Sequence, residues 1–261
     1  MMTLRAAGRT DRGRVRPHNE DSLLVDPKRA VAAVADGMGG HAAGEVASRL
    51  AVEALDETLT EAPRDADAVP ELLRRAVAEA NRRIAETIRE HPEYHGMGTT
   101  LVAAVWAGDR LFVAHVGDSR AYLIRDGRIR QLTTDHSFVN ELVRLGMISR
   151  EQAARDPRRN VVTRALGSGP VVVPDVIEER ILPGDTILLC SDGLSSMLDD
   201  ARILETVRRA QGDLERGCAD LIAAANEAGG EDNVTVVLAS PAPQAPPPAD
   251  AAETGPITEG A

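Results

Sequence analysis

Ala32-Ala33-Val34-Ala35-Asp36-Gly37-Met38-Gly39-Gly40-His41 is a short apolar run that stops on a carboxylate and passes into a glycine-rich stretch. The shape returns elsewhere. Ile187-Leu188-Leu189-Cys190-Ser191-Asp192-Gly193 ends in Asp-Gly, and Leu111-Phe112-Val113-Ala114-His115-Val116-Gly117-Asp118-Ser119 ends in Gly-Asp. Glu231-Asp232 stands before Asn233-Val234-Thr235-Val236-Val237-Leu238, and Glu20-Asp21 before Ser22-Leu23-Leu24-Val25. Each run is short, rich in Val, Ile and Leu and bounded by Gly or acid, which reads as a buried strand. One Asp-Gly at a strand end is what an ordinary turn looks like. Five strands with acids at their ends are not explained so simply. If their ends meet at one edge of facing sheets, the carboxylates repel unless a cation neutralises them.

The 261 residues suit one large domain, and a hydrophobic fraction of 43% supplies a core. Aromatics are only 2%, so that core rests on Val, Leu, Ile and Ala and offers no stacking platform for single-stranded nucleic acid. A net charge of -11 also argues against a nucleic-acid partner. Lys28 is the only lysine, and no phosphate-binding Gly-x-x-x-x-Gly-Lys-Ser/Thr loop occurs. Cys190 and Cys218 are far apart and form no Cys-x-x-Cys pair, as expected of reduced thiols in the cytoplasm. No apolar run approaches the roughly 18 residues of a membrane span, and the opening Met1-Met2-Thr3-Leu4-Arg5 does not resemble a signal peptide.

Along the chain, residues 4 to 36 read as three strands. Helical periodicity follows in Ala43, Val46, Ala47, Leu50, Ala51, Ala54 and Leu55, and again over about 69 to 90. Strands return from Gly98 to Leu132, with hairpin turns at Gly108-Asp109 and Asp126-Gly127. Residues 136 to 160 are polar and short-helical, a candidate flap over a site. Strands are expected at Val161 to Arg164, at 171 to 181 and at 185 to 190, then helices at 199 to 210 and 213 to 228 and a last strand at 233 to 239. After Ser240 the text becomes Pro- and Ala-rich. The expected organisation is a catalytic domain over 1 to 240 and a disordered tail over 241 to 261. Hairpins in place of regular β-α alternation favour an α+β fold with antiparallel sheets layered between helices.

Carboxylate oxygens without cysteine or paired histidine select hard ions such as Mg²⁺ or Mn²⁺ over zinc. His91 and His95 are four apart, but Pro92 breaks the helix that would align them. Two ions about 3.5 to 4 Å apart that share a water are the apparatus of phosphoester hydrolysis. Arg16, four residues before Glu20, is suited to hold two phosphate oxygens with its planar fork. Other phosphatase chemistries fit poorly. No arginine closes a phosphate loop after Cys190, Gly-x-Ser-x-Gly is absent, and the Asp65-x-Asp67 string lies in a linker between helices.

At this point the residues resemble a known family, the PP2C-type (PPM) metal-dependent protein phosphatases in their compact bacterial form. The matching strings are Arg16-Pro17-His18-Asn19-Glu20-Asp21-Ser22, Ala35-Asp36-Gly37-Met38-Gly39-Gly40-His41, Gly98-Thr99-Thr100 and Val116-Gly117-Asp118-Ser119-Arg120-Ala121. They continue with Leu132-Thr133-Thr134-Asp135-His136-Ser137, Ser191-Asp192-Gly193-Leu194 and Glu231-Asp232-Asn233-Val234-Thr235, in the family's order. The resemblance covers about residues 4 to 239 and implies a central antiparallel β-sandwich flanked by helix pairs. It further implies two bridged Mn²⁺ or Mg²⁺ ions in a cleft, with Asp36 bridging both. Asp192 and Asp232 would hold the first, and Glu20 with the Gly37 carbonyl the second. Asp21 would orient a metal-bound water, Asp118 with Asp192 would bind a third, weaker ion, and Arg16 would hold the substrate phosphate. One departure stands out: Met38 occupies the place where several relatives carry a histidine proposed to protonate the leaving oxygen, and His41 is not assigned that role.

The activity implied is hydrolysis of phosphoserine and phosphothreonine on proteins by a metal-bridging hydroxide, in a cytoplasmic monomer opposing bacterial serine/threonine kinases. Two alternatives are a non-catalytic binding or sensing module on the same fold and a regulatory phosphatase of anti-sigma-factor antagonists. The full set of acids speaks against the module. A fused sensor domain would mark the regulatory enzyme, and none is expected here.

Overall fold

Strands of antiparallel sheets usually alternate apolar and polar residues, because one face meets water. The inner strands here run almost unbroken in Val, Leu and Ala, and the tertiary structure supplies the reason. The computed structural model describes residues 3–39, 43–59 and 65–241. Numbered in chain order, its strands are β1 (Leu4–Asp11), β2 (Asp21–Asp26), β3 (Val31–Met38), β4 (Gly98–Thr99), β5 (Leu101–Ala107), β6 (Arg110–Val116), β7 (Arg120–Arg125), β8 (Arg128–Gln131), β9 (Asp175–Arg180), β10 (Thr186–Cys190) and β11 (Val234–Pro241). Its helices are α1 (Ala43–Thr58), α2 (Val69–Glu90), α3 (Phe138–Arg144), α4 (Arg150–Arg155), α5 (Asp192–Ser195), α6 (Asp200–Arg209) and α7 (Leu214–Glu227).

One sheet has the order β1-β11-β10-β7-β8 and the other β2-β3-β5-β6-β9, with β4 added to β3, and all these pairings are antiparallel. Ala32 and Val34 of β3 face Leu123, Ile187, Leu189 and Val237 of the opposite sheet, while Val31, Ala33 and Ala35 face α1 and α2. Val236 and Leu238 of β11 turn the other way, onto α7. Each inner strand therefore buries both faces, and the layers run helix, sheet, sheet, helix, as expected from the resemblance. The alanines of α1 let that helix lie close to the sheet, and its Ser48 donates to the Glu20 carbonyl at 2.6 Å.

Three expectations are corrected. Val161 to Arg164 is not a strand of either sheet; Val162 forms a single bridge to Ser137, which pins the base of the 136–160 flap. Of 171 to 181, only Asp175–Arg180 pairs, because Pro170 and Pro174 lack the N–H a ladder needs, and Val171 and Val173 stand exposed. The short α5 starts directly at Asp192, where the sequence suggested only a strand end. The proposed tail from residue 242 onward and His41 lie outside the described residues.

Candidate active site

Strand register brings the first two acids together. Asp21 opens β2 directly opposite Asp36 of β3, so both side chains leave the sheet on one side, an arrangement that destabilises like charges. Asp118 follows β6, Asp192 follows β10 and Asp232 precedes β11, and these three strand ends lie at the same edge of the sandwich. Arg16, Glu20, Asp36, Gly37, Asp118, Asp192 and Asp232 all line one cavity of about 380 Å³. Asp21 is buried beneath it. Ser191 donates to its Oδ2 at 2.8 Å, and its Oδ1 has no hydrogen-bond partner.

The electrostatics record how closely the acids crowd. Asp36 keeps part of its surface open to the cleft, yet burial, and then the charges of Asp21, Asp192, Asp118 and Asp232, push its carboxyl well above the usual range. Burial pushes Asp21 up to about 7 against the hydrogen bonds of Thr235 and Ser191, with Asp192 and Asp232 adding to the rise. Burial and Asp192 likewise push Asp118 up to about 7. Asp192 is raised by burial and Asp232, while a hydrogen bond from Asp36 opposes the rise. Glu20 is raised chiefly by burial. A group of oxygen donors that resist ionising together, one with an orphaned buried oxygen, fits a hard divalent cation.

Neutral groups hold the acids in place. Thr100 Oγ1 accepts the Asp36 N–H at 3.0 Å and pairs with Ser119 Oγ at 2.6 Å, linking Asp36 to the residue after Asp118. Thr99 Oγ1 donates to the Asp36 carbonyl at 2.9 Å. Asn233 accepts the Glu20 N–H at 2.8 Å and donates to the carbonyls of Arg12 and His18 at 2.9 and 2.8 Å. That amide clips the loop carrying Arg16 and Glu20 onto the start of β11. Arg16 itself reaches across to Asp232, 2.6 Å away.

Asp36-Gly37 and Asp192-Gly193 are not ordinary turns, unlike Asp126-Gly127, which joins β7 to β8 as expected. Neither Gly37 nor Gly193 has a positive φ. A Cβ on Gly37 would collide with the Gly44 carbonyl, and one on Gly193 with the Asn233 carbonyl. The glycines allow backbones to close behind Asp36 and Asp192. Gly193→Ala is accordingly expected to lose at least about 2 kcal/mol of stability, since backbone cannot yield as a flexible side chain does. Urea unfolding reads this, and a midpoint unchanged from the parent would contradict the close approach.

His115, His136 and Asp175 bring ligand-type atoms within 4.8 Å of one another beside the cleft. His136 Nδ1 accepts the Gly117 N–H at 3.0 Å, so its proton sits on Nε2, which faces Asp175 Oδ2 at 3.2 Å. A metal on Nε2 would force that proton onto Nδ1, against the Gly117 N–H. The group acts as a brace that fixes Gly117, and with it Asp118; burial, aided by His136, holds the unpartnered His115 down at about 4. Asn233, Thr100, Ser191 and His136 were inside the quoted strings but carried no assigned role. Their signal is position alone, a polar residue beside an acid at a strand end.

Comparison with known proteins agrees with this geometry. The family model described as Protein phosphatase 2C matches residues 11–231. A serine/threonine phosphatase, stp, of Listeria innocua is 43% identical over 240 residues, covering 90% of this chain and 95% of that protein. The crystal structure of the Mycobacterium tuberculosis serine/threonine phosphatase PstP/Ppp superposes with a TM-score of 0.86 at 43% identity, over 92% of this chain and 99% of the other. A structure of the PstP catalytic domain in complex with two manganese ions has a TM-score of 0.83 at 43% identity and covers 92% of this chain and 99% of its own.

Proposed function

The chain belongs to the protein phosphatase 2C family, and on that premise we propose how its own residues perform metal-dependent hydrolysis of phosphoserine and phosphothreonine on proteins. The supporting observation is the convergence of Arg16, Glu20, Asp36, Gly37, Asp118, Asp192 and Asp232 on one cavity whose acids oppose one another's ionisation. Asp36 stands between the other acids and is the bridging candidate for two Mn²⁺ or Mg²⁺ ions. Asp192 and Asp232 would complete one site, Glu20 and the Gly37 carbonyl the other, and Asp118 with Asp192 a third, weaker one. Such ions, when bound, lower the pKa of a water they share and neutralise charge on the phosphoryl group.

The protein's own work is placement. Asp21, held by Ser191 below the cavity, is the residue set to orient the attacking water. Arg16 lies half exposed on the rim, and its guanidinium is free to pivot from Asp232 to two oxygens of the substrate phosphate. Met38 lines the cavity and has no proton to give, whereas His18, which also lines it, carries an imidazole. Leaving-group protonation therefore does not come from the position after Gly37.

Two assays test the reading. The purified chain is expected to hydrolyse p-nitrophenyl phosphate and a phosphothreonyl peptide in Mn²⁺, and to stop on chelation. Arg16→Ala is expected to lower kcat/KM for the peptide by about 10- to 100-fold, with Arg16→Lys recovering only part, because an ammonium lacks the fork. An Arg16→Ala enzyme within twofold of the parent would remove Arg16 from the site. The organisation that goes with this function is one catalytic domain over 1 to 240, extended by Pro241 as the last residue of β11, followed by a tail over 242 to 261. Phosphoproteins are the substrates; a cytoplasmic site of action, opposite a serine/threonine kinase or its targets, is the natural setting. No helix among the described residues is long and apolar enough to cross a membrane.

A further inference from the structure

The acidic cleft does not end at its acids. A second cavity of about 560 Å³ lies beside it, and Asp118, Asn160 and Asp192 belong to the walls of both. Charge changes sign along this second space. Besides the shared carboxylates, its lining includes Arg150, at the start of α4, and Arg159, with Ser195 at the end of α5 and Ser196 just after it. Arg120 also lines it, but its guanidinium is occupied by Asp135 at 2.7 Å and by the Tyr122 hydroxyl at 2.9 Å. Arg158, next in sequence to Arg159, is bound by Asp156 at 2.8 Å and lies over the Phe138 ring. Arg150 and Arg159 have no carboxylate partner among the described residues.

Their backbones are nevertheless held. Ser149 and Gln152 close a reciprocal cap around the start of α4, and the Arg159 N–H donates to the Asp156 carbonyl at 3.1 Å. Two uncommitted guanidinium forks on fixed backbone, facing one cavity of a chain with a net charge of -11, are placed to receive an anion. The two cavities share Asp118, Asn160 and Asp192, so a substrate segment whose phosphorylated residue enters the acidic cleft has the second cavity open beside it.

We propose that Arg150 and Arg159 form an anion subsite for a second negatively charged side chain, a phosphoryl group or a carboxylate, on the segment whose phosphoserine or phosphothreonine is hydrolysed. The subsite rests on the phosphatase reading above and adds to it a substrate class, phosphoprotein segments that are doubly phosphorylated or acidic beside the target residue. Direct ion pairs at an exposed site are modest, so the selection is a preference and is read in KM.

The test uses phosphothreonyl peptides in which a second anion is moved through each flanking position. One set carries glutamate, another a non-hydrolysable phosphonate analogue of phosphoserine, and alanine is the reference. The parent enzyme is expected to favour an anion at one position, or at two neighbours, by about fivefold in kcat/KM through KM. Response to the phosphonate alone assigns doubly phosphorylated segments, and response to both sets assigns acidic ones. The double variant Arg150→Glu, Arg159→Glu is expected to lose that preference or to turn it toward lysine, while its rate on p-nitrophenyl phosphate in Mn²⁺ stays unchanged. Hydrolysis of p-nitrophenyl phosphate with no anion preference, or a preference that survives in the double variant, overturns the subsite alone. Absence of any hydrolysis by the parent in Mn²⁺ overturns the phosphatase reading, and the subsite falls with it.

Discussion

Asp36→Asn is expected to reduce Mn²⁺-dependent hydrolysis of p-nitrophenyl phosphate by about a thousandfold or more, the scale of removing a central charge from a preorganised catalytic site. The same change is expected to raise the melting temperature of the chelator-treated protein, by about 5 °C. Both outcomes have one cause. Asp36 lies opposite Asp21 in the strand register, and four acids act on its carboxyl. Without a cation that crowding destabilises the fold, and a neutral amide of nearly the same shape relieves it. Added Mn²⁺ should then raise the melting temperature of the parent far more than that of the variant. A variant that keeps a tenth of the parental rate, or that melts lower than the parent in chelator, would show that Asp36 is not at the centre of the charge cluster.

The second large effect is on pH. Asp21 and Asp118 are each pushed from the ordinary carboxylate value up to about 7, first by burial and then by neighbouring acids. Below about pH 4 these groups are protonated whether the chain is folded or not, so they impose no penalty. Between about 4 and 7 the unfolded chain releases protons that the folded chain retains, and folding stability falls as pH rises. Chelator-treated protein is therefore expected to lose a few kcal/mol over this window from the acid cluster, a drop of about 10 °C in melting temperature. The two groups are coupled through Asp192, so their contributions do not add. Saturating Mn²⁺ should flatten the profile, because ions that neutralise the acids remove the reason to keep the protons. A chelator-treated melting temperature that rises steadily from pH 4 to 7 would place these carboxylates in an environment unlike the one described.

Much of this was legible in the chain. The apolar runs at 31 to 38, 111 to 116, 187 to 190 and 234 to 238 announced strands, and the acids at their ends announced the site. Loops were harder. Val161 to Arg164 and Val171 to Val173 have strand-like composition, but prolines and a single bridge at Val162 decide otherwise. The role of the glycines after Asp36 and Asp192, close packing of backbone behind the acids, had no signal in the sequence. The brace through His136 and the clip through Asn233 join residues 19 and 213 positions apart or more, and no local pattern reports such a bond.

By itself the sequence determined most of the element types and which acids stand at strand ends, because periodicity and side-chain chemistry are written residue by residue. Tertiary structure alone decided which strand ends meet, that Asp21 sits below the cavity while the other candidates line it, and that Arg150 and Arg159 share a space with Asp118 and Asp192. The physical reason is range: a strand's propensity is local, whereas repulsion among carboxylates exists only after sheet register and long-range packing have put them side by side.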